Sequence, residues 1–451
     1  MNNVLDLYDQ TVFLGERATA TTNLLQCIWV YNRGIDIEGL RRFHRNLLRG
    51  RLSRRIETSP LPFGRHRWVS SSRQSDLEIV EMPWPREEFD AWLAEQANTP
   101  LDAEHGPGWH LAVLPFTDGG AGVSFVVTHC LTDGVGLCEA LADAATGRRD
   151  PVSWPAAGSR RRWQALWQDA RQTASDIPAM GRAAVAAARF ARRDRGGSAA
   201  SPATPALPEG VDEPATLWSH TVFVDADEWD AHAHALGGTS NTLLAGLATR
   251  LAQRVGRLAA DGSVALTLPV NERTAGDTRA NAITNVDFTV DPAPPSTDLR
   301  GIRAAVKRAL VRSNSEPNER FTLLPLAPLL PHWLVRRLVS VSAGSATSVV
   351  SSNLGVVNPD ANRPDGRQAD QFAVRSLGPG VTKAVMHRLG GLLVLLSGRA
   401  QGRVFVSVLA YEPGQPNSDD ELRRNLSGAL GDFSLTATTG WSTSRLHKLT
   451  V

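Results

Sequence analysis

Two apolar runs near residue 110 constrain the fold of this chain more than any other feature. Trp109-His-Leu-Ala-Val-Leu-Pro115 and Gly122-Val-Ser-Phe-Val-Val127 flank Asp118-Gly119-Gly120, and strand formers around a glycine turn predict a β-hairpin. The second run continues without a break into Thr128-His129-Cys130-Leu131-Thr132-Asp133-Gly134. Any fold that accepts this segment must bury a hairpin and leave a histidine at the C-terminal end of its second strand. Strand ends and the loops after them hold side chains rigidly while letting them reach a cleft.

The rest of the chain alternates helical and strand-like stretches. Asp36 can cap a helix that carries Ile37, Leu40, Phe43 and Leu47 on one face. Trp68–Ser70 and Leu77–Val80 read as strands, and Glu87–Ala97 as a helix. Later, Trp218–Val224 reads as a strand and Trp229–Leu236 as a helix, and Ser240 or Asn241 is placed to cap a helix reaching Val255. Val264–Val270 and Asn285–Val290 read as strands, Leu299–Arg312 as a helix, and Leu392–Ser397 and Val404–Leu409 as a final strand pair. Between the two series, residues 160–195 are rich in Arg and Ala and plausible as helix, followed by a Gly/Ser/Pro tract at 196–205. The expected layout is an α/β (α+β) protein with a first lobe over 1–158, a crossover and linker over 159–214, and a second lobe over 215–451.

Composition narrows the function. A chain of 451 residues is longer than one core usually organises, and 42% hydrophobic with 21% charged residues is an ordinary globular balance. A net charge of +2 argues against a dedicated nucleic-acid binder, which needs a basic surplus for phosphate contacts. Cys27, Cys130 and Cys138 form neither a disulfide framework nor a zinc set, so no metal is expected. The start lacks an apolar signal segment and no run approaches membrane-spanning length, so a cytoplasmic location is expected. The preference for Arg over Lys, with abundant Ala, fits a GC-rich bacterial genome.

An imidazole is the side chain best suited to accept a proton near neutral pH, and His129 occupies a position where it could do so. Asp133 can fold back across the turn or bind a distant Arg, and Gly134 leaves clearance for a close approach. A histidine after a strand can equally be structural. Gly134-Val-Gly136 lacks the third glycine of a dinucleotide loop, where Glu139 stands.

His129-Cys-Leu-Thr-Asp133-Gly134 resembles the HxxxDG signature of the acyltransferase superfamily with the chloramphenicol acetyltransferase-like fold. Gly106-Pro-Gly-Trp109 looks like the Pro-Leu-Trp element of its wax ester synthase members, with Gly108 replacing Leu. Ser240-Asn241-Thr242 is similar to their Asn-Asp helix opening, and Leu268-Pro-Val-Asn-Glu-Arg273 to their Pro-Val-Ser-Leu-Arg strand end. Asn281–Val286 and Ser351-Ser352-Asn353-Leu354-Gly355 resemble later segments in the same order. The likeness spans nearly the whole chain. It is strongest to wax ester synthase/diacylglycerol acyltransferases and mycobacterial polyketide-associated acyltransferases, and extends to condensation domains.

The resemblance implies two lobes in a V with a tunnel at their interface and His129 at its midpoint. It implies His129 as general base, with Asp133 in a structural ion pair with Arg273 and Gly134 completing the motif. Ser352, Asn353 and Asn241 become candidates for positioning substrate or oxyanion, and Trp109 and Thr128 for the tunnel wall. Asn241 can also be a simple helix cap, and Ser352-Asn353 a polar turn ending a strand. No bound cofactor is implied. The donor would be a thioester of coenzyme A or of phosphopantetheine on an acyl carrier protein, and the acceptor a small alcohol. An amine acceptor, as in a free-standing condensation enzyme, and a non-catalytic relative that binds carrier proteins or lipid are the alternatives. The segment 160–195, with Trp163, Trp167 and Phe190 among its arginines, admits two readings. It is either a solvated crossover with its Ala face on the protein, or a peripheral contact with the inner membrane surface.

Overall fold

The structure is a computed structural model that describes residues 3–71, 75–148, 153–196, 213–291, 296–315, 319–331, 334–335 and 348–441. Its strands begin with β1 (Leu24–Tyr31), β2 (Arg54–Glu57), β3 (Arg67–Ser70), β4 (Leu77–Ile79), β5 (Trp109–Pro115) and β6 (Ala121–Thr128). They continue with β7 (Trp218–Asp225), β8 (Val264–Asn271), β9 (Ile283–Val290) and β10 (Val349–Val356). The last are β11 (Gln371–Leu377), β12 (Leu392–Ala400), β13 (Arg403–Tyr411) and β14 (Ala437–Thr439). The helices are α1 (Leu7–Thr19), α2 (Ile37–Leu47), α3 (Phe89–Ala97), α4 (Gly134–Thr146), α5 (Arg162–Gly196) and α6 (Ala226–Ala235). After these come α7 (Ser240–Arg254), α8 (Arg300–Ser315), α9 (Glu319–Leu323), α10 (Lys383–Leu389) and α11 (Asp419–Asp432).

The predicted hairpin is present: β5 and β6 pair antiparallel from Trp109↔Val127 to Pro115↔Ala121. On its other side β6 pairs with β1, and every residue of both strands is buried. Strands covered on both faces read as continuous apolar runs, which is why Leu24-Leu-Gln-Cys-Ile-Trp-Val-Tyr31 shows no alternation. The sheet has the order β11-β1-β6-β5-β4. Its outermost strand β11 comes from late in the chain, pairing antiparallel with β1 from Leu24↔Leu377 to Val30↔Gln371. Trp29, wholly buried, packs between Phe43 of α2 and Phe372 of β11 and so ties distant segments into one core.

The second sheet has seven strands in the order β14-β7-β13-β12-β10-β8-β9. It has its own core, built with Leu243, Leu244, Leu247, Ala248 and Leu251 of α7. Those positions recur at helical spacing and form one stripe. Each sheet thus anchors one lobe, while β11 crosses from the chain of the second to the sheet of the first. The three cysteines are free and buried in the first lobe.

Helix α5 turns Ala165, Asp169 and Ala183 inward. Asp169 accepts from Ser59, Arg67 and Arg160, and Asp176 from Arg65, which fixes the helix to the first lobe. The Gly/Ser/Pro tract beyond it (197–205) and the side chain of Phe190 lie outside the described residues. Among the described residues, no helix is long and apolar enough to cross a membrane.

Candidate active site

The register of the first sheet determines where His129 stands. Leu24 faces Thr128 at the end of the β1–β6 pairing, and the next N–H along, that of His129, donates to the Asn23 carbonyl at 2.8 Å. The His129 carbonyl in turn accepts from the Asn281 side-chain amide at 3.1 Å. The backbone on both sides of a half-buried imidazole is therefore anchored, by the residue just before β1 in one lobe and by the β8–β9 connection of the other.

Asp133 locks the turn that follows. It is the N-cap of α4, its Oδ1 accepting from the Gly136 N–H at 2.7 Å. Its Oδ2 accepts from Arg273 Nη2 at 2.7 Å and from the Ala282 N–H at 2.8 Å, and its own N–H donates to the Ala280 carbonyl. The carboxylate and guanidinium side chains are only 3% and 2% exposed. Arg273 also donates to the carbonyls of Arg279 and Ala280. The pair thus closes a clamp between the motif loop and residues 279–282, and ion-pair strength in such a site depends on this full set of partners.

Two glycines make the close approach possible. A Cβ at Gly134 would stand 2.6 Å from Leu354 Cδ2 of β10, and one at Gly136 would stand 2.8 Å from Arg273 Nη2. Gly136→Ala should push the guanidinium off the Asp133 carboxylate and lower stability by about 1–3 kcal/mol, the usual cost of overpacking. Chemical denaturation of the two proteins side by side checks this.

Sequence reasoning missed three residues that complete the clamp. Asp9 of α1 accepts from the N–H groups of Ala280 and Asn281 and from the Asn281 side chain. Arg54, buried on β2, donates to the carbonyls of Leu131 and Thr278 and stacks over Trp68 with its Cζ 4.0 Å from the ring centroid. Glu16 of α1 accepts from the Asn23 N–H at 3.0 Å and lies against the Thr128 and Cys130 side chains. The available signal was an acid on the inward face of an amphipathic segment: Asp9 shares that face with Phe13.

Burial pushes the Glu16 carboxyl up to about 7 and that of Asp9 up to about 6, in both cases against backbone N–H donors that favour the charged form. Acids raised in this way hold more protons folded than unfolded. Their contribution is complete below the unfolded carboxylate range and is lost as pH rises through the folded values. Stability should therefore fall between about pH 4 and 7 from this source, and Glu16→Gln should flatten the upper part of that fall. Urea denaturation across a pH series reads it directly.

The other sequence candidates are spread more widely. Ser352 and Asn353 lie within β10 rather than in a turn after it. The Asn353 side-chain amide donates to Oδ1 of the Asn241 side chain at 2.5 Å, joining β10 to the first turn of α7. The cap of α7 is neither Ser240 nor Asn241 but Thr239: its extended backbone and the reciprocal Thr239–Thr242 capping box end the strand-like approach one residue earlier. Ser240 accepts instead from the Trp229 indole. Trp109 packs in the first core against His44 and Phe125 and donates to the Leu52 carbonyl. Thr128 is buried, its hydroxyl accepting from the Cys130 N–H. Cys130 is wholly buried, and burial drives its thiol well above the ordinary range, which suppresses the nucleophilic thiolate.

A cavity of about 330 Å³ opens between α1 and the β11–α10 region. Tyr8, Val12, Glu16 and Asn23 line one side, and Leu377, Val381, Val385, Met386 and Leu389 much of the other. Its walls include the residue that holds the His129 backbone but not the imidazole itself. Among the described residues, no group of three or more His, Cys, Asp or Glu side chains is arranged to hold a metal ion.

Solved structures share this architecture end to end. The first condensation domain of the calcium-dependent antibiotic synthetase, in complex with a substrate analogue, is 15% identical with a TM-score of 0.59, over 96% of this chain and 96% of that one. The chain adopts the two-lobed, chloramphenicol acetyltransferase-like fold. The wax ester synthase/diacylglycerol acyltransferase from Marinobacter aquaeolei VT8 shares this fold at 16% identity and a TM-score of 0.55, covering 96% of this chain and 100% of that one. A mutant of the starter condensation domain of rhizomide synthetase, in complex with C8-CoA, matches at 14% identity and a TM-score of 0.53 over 99% of this chain and 98% of that one. No protein-family model and no curated protein matches the sequence.

Proposed function

We propose that the protein is an acyltransferase that moves an acyl group from a coenzyme A or carrier-protein thioester to a hydroxyl acceptor. The observation that carries this reading is the anchoring of His129 from both lobes, which holds a half-buried imidazole at the end of β6. In this scheme His129 takes the proton of the acceptor hydroxyl as its oxygen attacks the thioester carbonyl. The tetrahedral oxyanion then collapses, the C–S bond breaks, and the imidazolium returns the proton to the departing thiolate. No acyl-enzyme forms, consistent with the deeply buried Cys130 thiol.

Asp133 and Arg273 position the loop and do not touch substrate. Asn353, tied to Asn241, and Ser352 are the candidate donors toward the thioester carbonyl or the oxyanion. Such a donor is worth about 10²–10³-fold in rate. The mostly apolar cavity beside α1 is of a size that takes a small acceptor or part of an acyl chain. The solved likeness in complex with C8-CoA supports a coenzyme A thioester as donor, and the wax ester synthase supports an oxygen acceptor.

Purified protein given acyl-coenzyme A with alcohols or amines, with thiol release and product mass followed together, tests the proposal. Acceptor-dependent thiol release with ester formation is expected. Amide products alone would move the reading to a condensation enzyme, and no release with either acceptor, from acyl-coenzyme A or from an acyl-phosphopantetheine thioester, would reject catalysis.

A further inference from the structure

The solvent face of α5 is apolar where a crossover helix would ordinarily be polar. Trp163 is 82% exposed, Trp167 64%, Ile177 60% and Val185 53%. At 100° per residue these four side chains fall within a sector of about 80°, directly opposite the inward Ala165, Asp169 and Ala183. Ala170, Ala174, Gly181 and Ala188 are exposed and continue the same stripe. From Trp163 to Val185 it extends about 33 Å along the helix.

The charges beside the stripe have one sign. Arg171, Arg182 and Arg189 project along one edge and Arg162 along the other, all exposed. The Arg171 guanidinium lies 5.7 Å from the Trp167 ring centroid. The only acids between residues 162 and 189 are Asp169 and Asp176, and both turn inward, Asp169 onto Arg67 and Arg160 and Asp176 onto Arg65. The outward face of the helix thus presents indoles, small apolar residues and cations, with no carboxylate of its own.

We propose that α5 is the face by which this protein docks on an anionic lipid surface. Exposed apolar area of this extent marks an interaction site. Tryptophan suits the boundary between headgroups and acyl chains, and arginines beside a shallow apolar stripe gain from negative headgroups. A plane of anionic headgroups can meet both indoles and all three edge arginines at once, because they share one side of a single helix. The inference does not rest on the acyl-transfer reading, since neither the stripe nor its arginines belong to the His129 clamp.

Sedimentation of the full-length protein with phosphatidylcholine vesicles, with and without phosphatidylglycerol, tests it. Binding should require the anionic lipid and weaken as salt shortens the screening length from about 10 Å at 0.1 M to about 3 Å at 1 M. Trp163→Gln/Trp167→Gln should weaken it at least about tenfold. Removing Arg171, Arg182 and Arg189 together, each to Gln, should weaken it about 100-fold, at roughly fivefold per charge. Thermal midpoints and thiol release from soluble substrates should not change in these variants. No binding to anionic vesicles, binding that the Trp variant leaves intact, or capture of an acidic carrier protein by this face in place of vesicles would overturn the proposal.

Discussion

Replacing His129 by alanine is expected to lower acyl transfer by about 10²–10⁴-fold, the range supplied by a positioned general base. The loss should fall on kcat, because the clamp that shapes the site uses the His129 backbone and not its ring. The N–H of His129 bonds Asn23 and its carbonyl accepts from Asn281, and alanine retains both groups. The thermal midpoint should accordingly stay near wild type. A variant that unfolds, or one that loses only substrate affinity, would show that the imidazole serves packing or binding. Steady-state kinetics with a melting curve on the same preparation separates these outcomes.

Asp133→Ala is expected to produce the largest loss of stability. It leaves the Arg273 guanidinium in a site where its side chain is 2% exposed, with only carbonyl partners. Breaking one half of a buried pair costs about 3–5 kcal/mol. Loss of the α4 cap adds about 1 kcal/mol. In a chain of 451 residues that corresponds to a fall in midpoint of about 5 °C. Arg273→Ala should cost a similar amount, since it leaves the buried carboxylate without its counter-charge and with only backbone N–H donors. The double variant should be destabilised by much less than the sum of the two, because neither charge is then left alone. Strict additivity across that cycle would mean that the pair does not couple the lobes.

The local elements were the easiest to read from the sequence. The hairpin of β5 and β6 announces itself through apolar strands around Asp118-Gly119-Gly120, and α2 through Asp36 and its apolar face, because each signal lies within a few residues. The Asp36 side chain indeed accepts from the Gly39 N–H at 3.0 Å. Strand β11 had no such signal: its partner β1 lies nearly 350 residues away, and nothing in Gln371–Leu377 says which sheet it joins. The α7 cap was misplaced because Thr239, Ser240 and Asn241 are all capable caps. Only the return bond from Thr242 selects the first.

The site divides along the same line. His129, Asp133 and Gly134 stand together in the sequence, whereas Arg273 came into view only through a family resemblance. Asp9 and Arg54 carry no local pattern that points across the molecule to residues 278–281. Gly136 looked like a fragment of a nucleotide loop. Its role is steric, set by a guanidinium more than a hundred residues away.

The most direct test of the central claim is a rapid-quench time course with acyl-coenzyme A and an alcohol, following free thiol, ester and the mass of the protein together. Thiol and ester should rise in step from the first turnover with no acylated protein, and both should nearly vanish in His129→Ala. A burst of thiol ahead of ester with an acyl adduct on the protein, or unchanged turnover in the variant, would contradict transfer by an unacylated enzyme with His129 as its base.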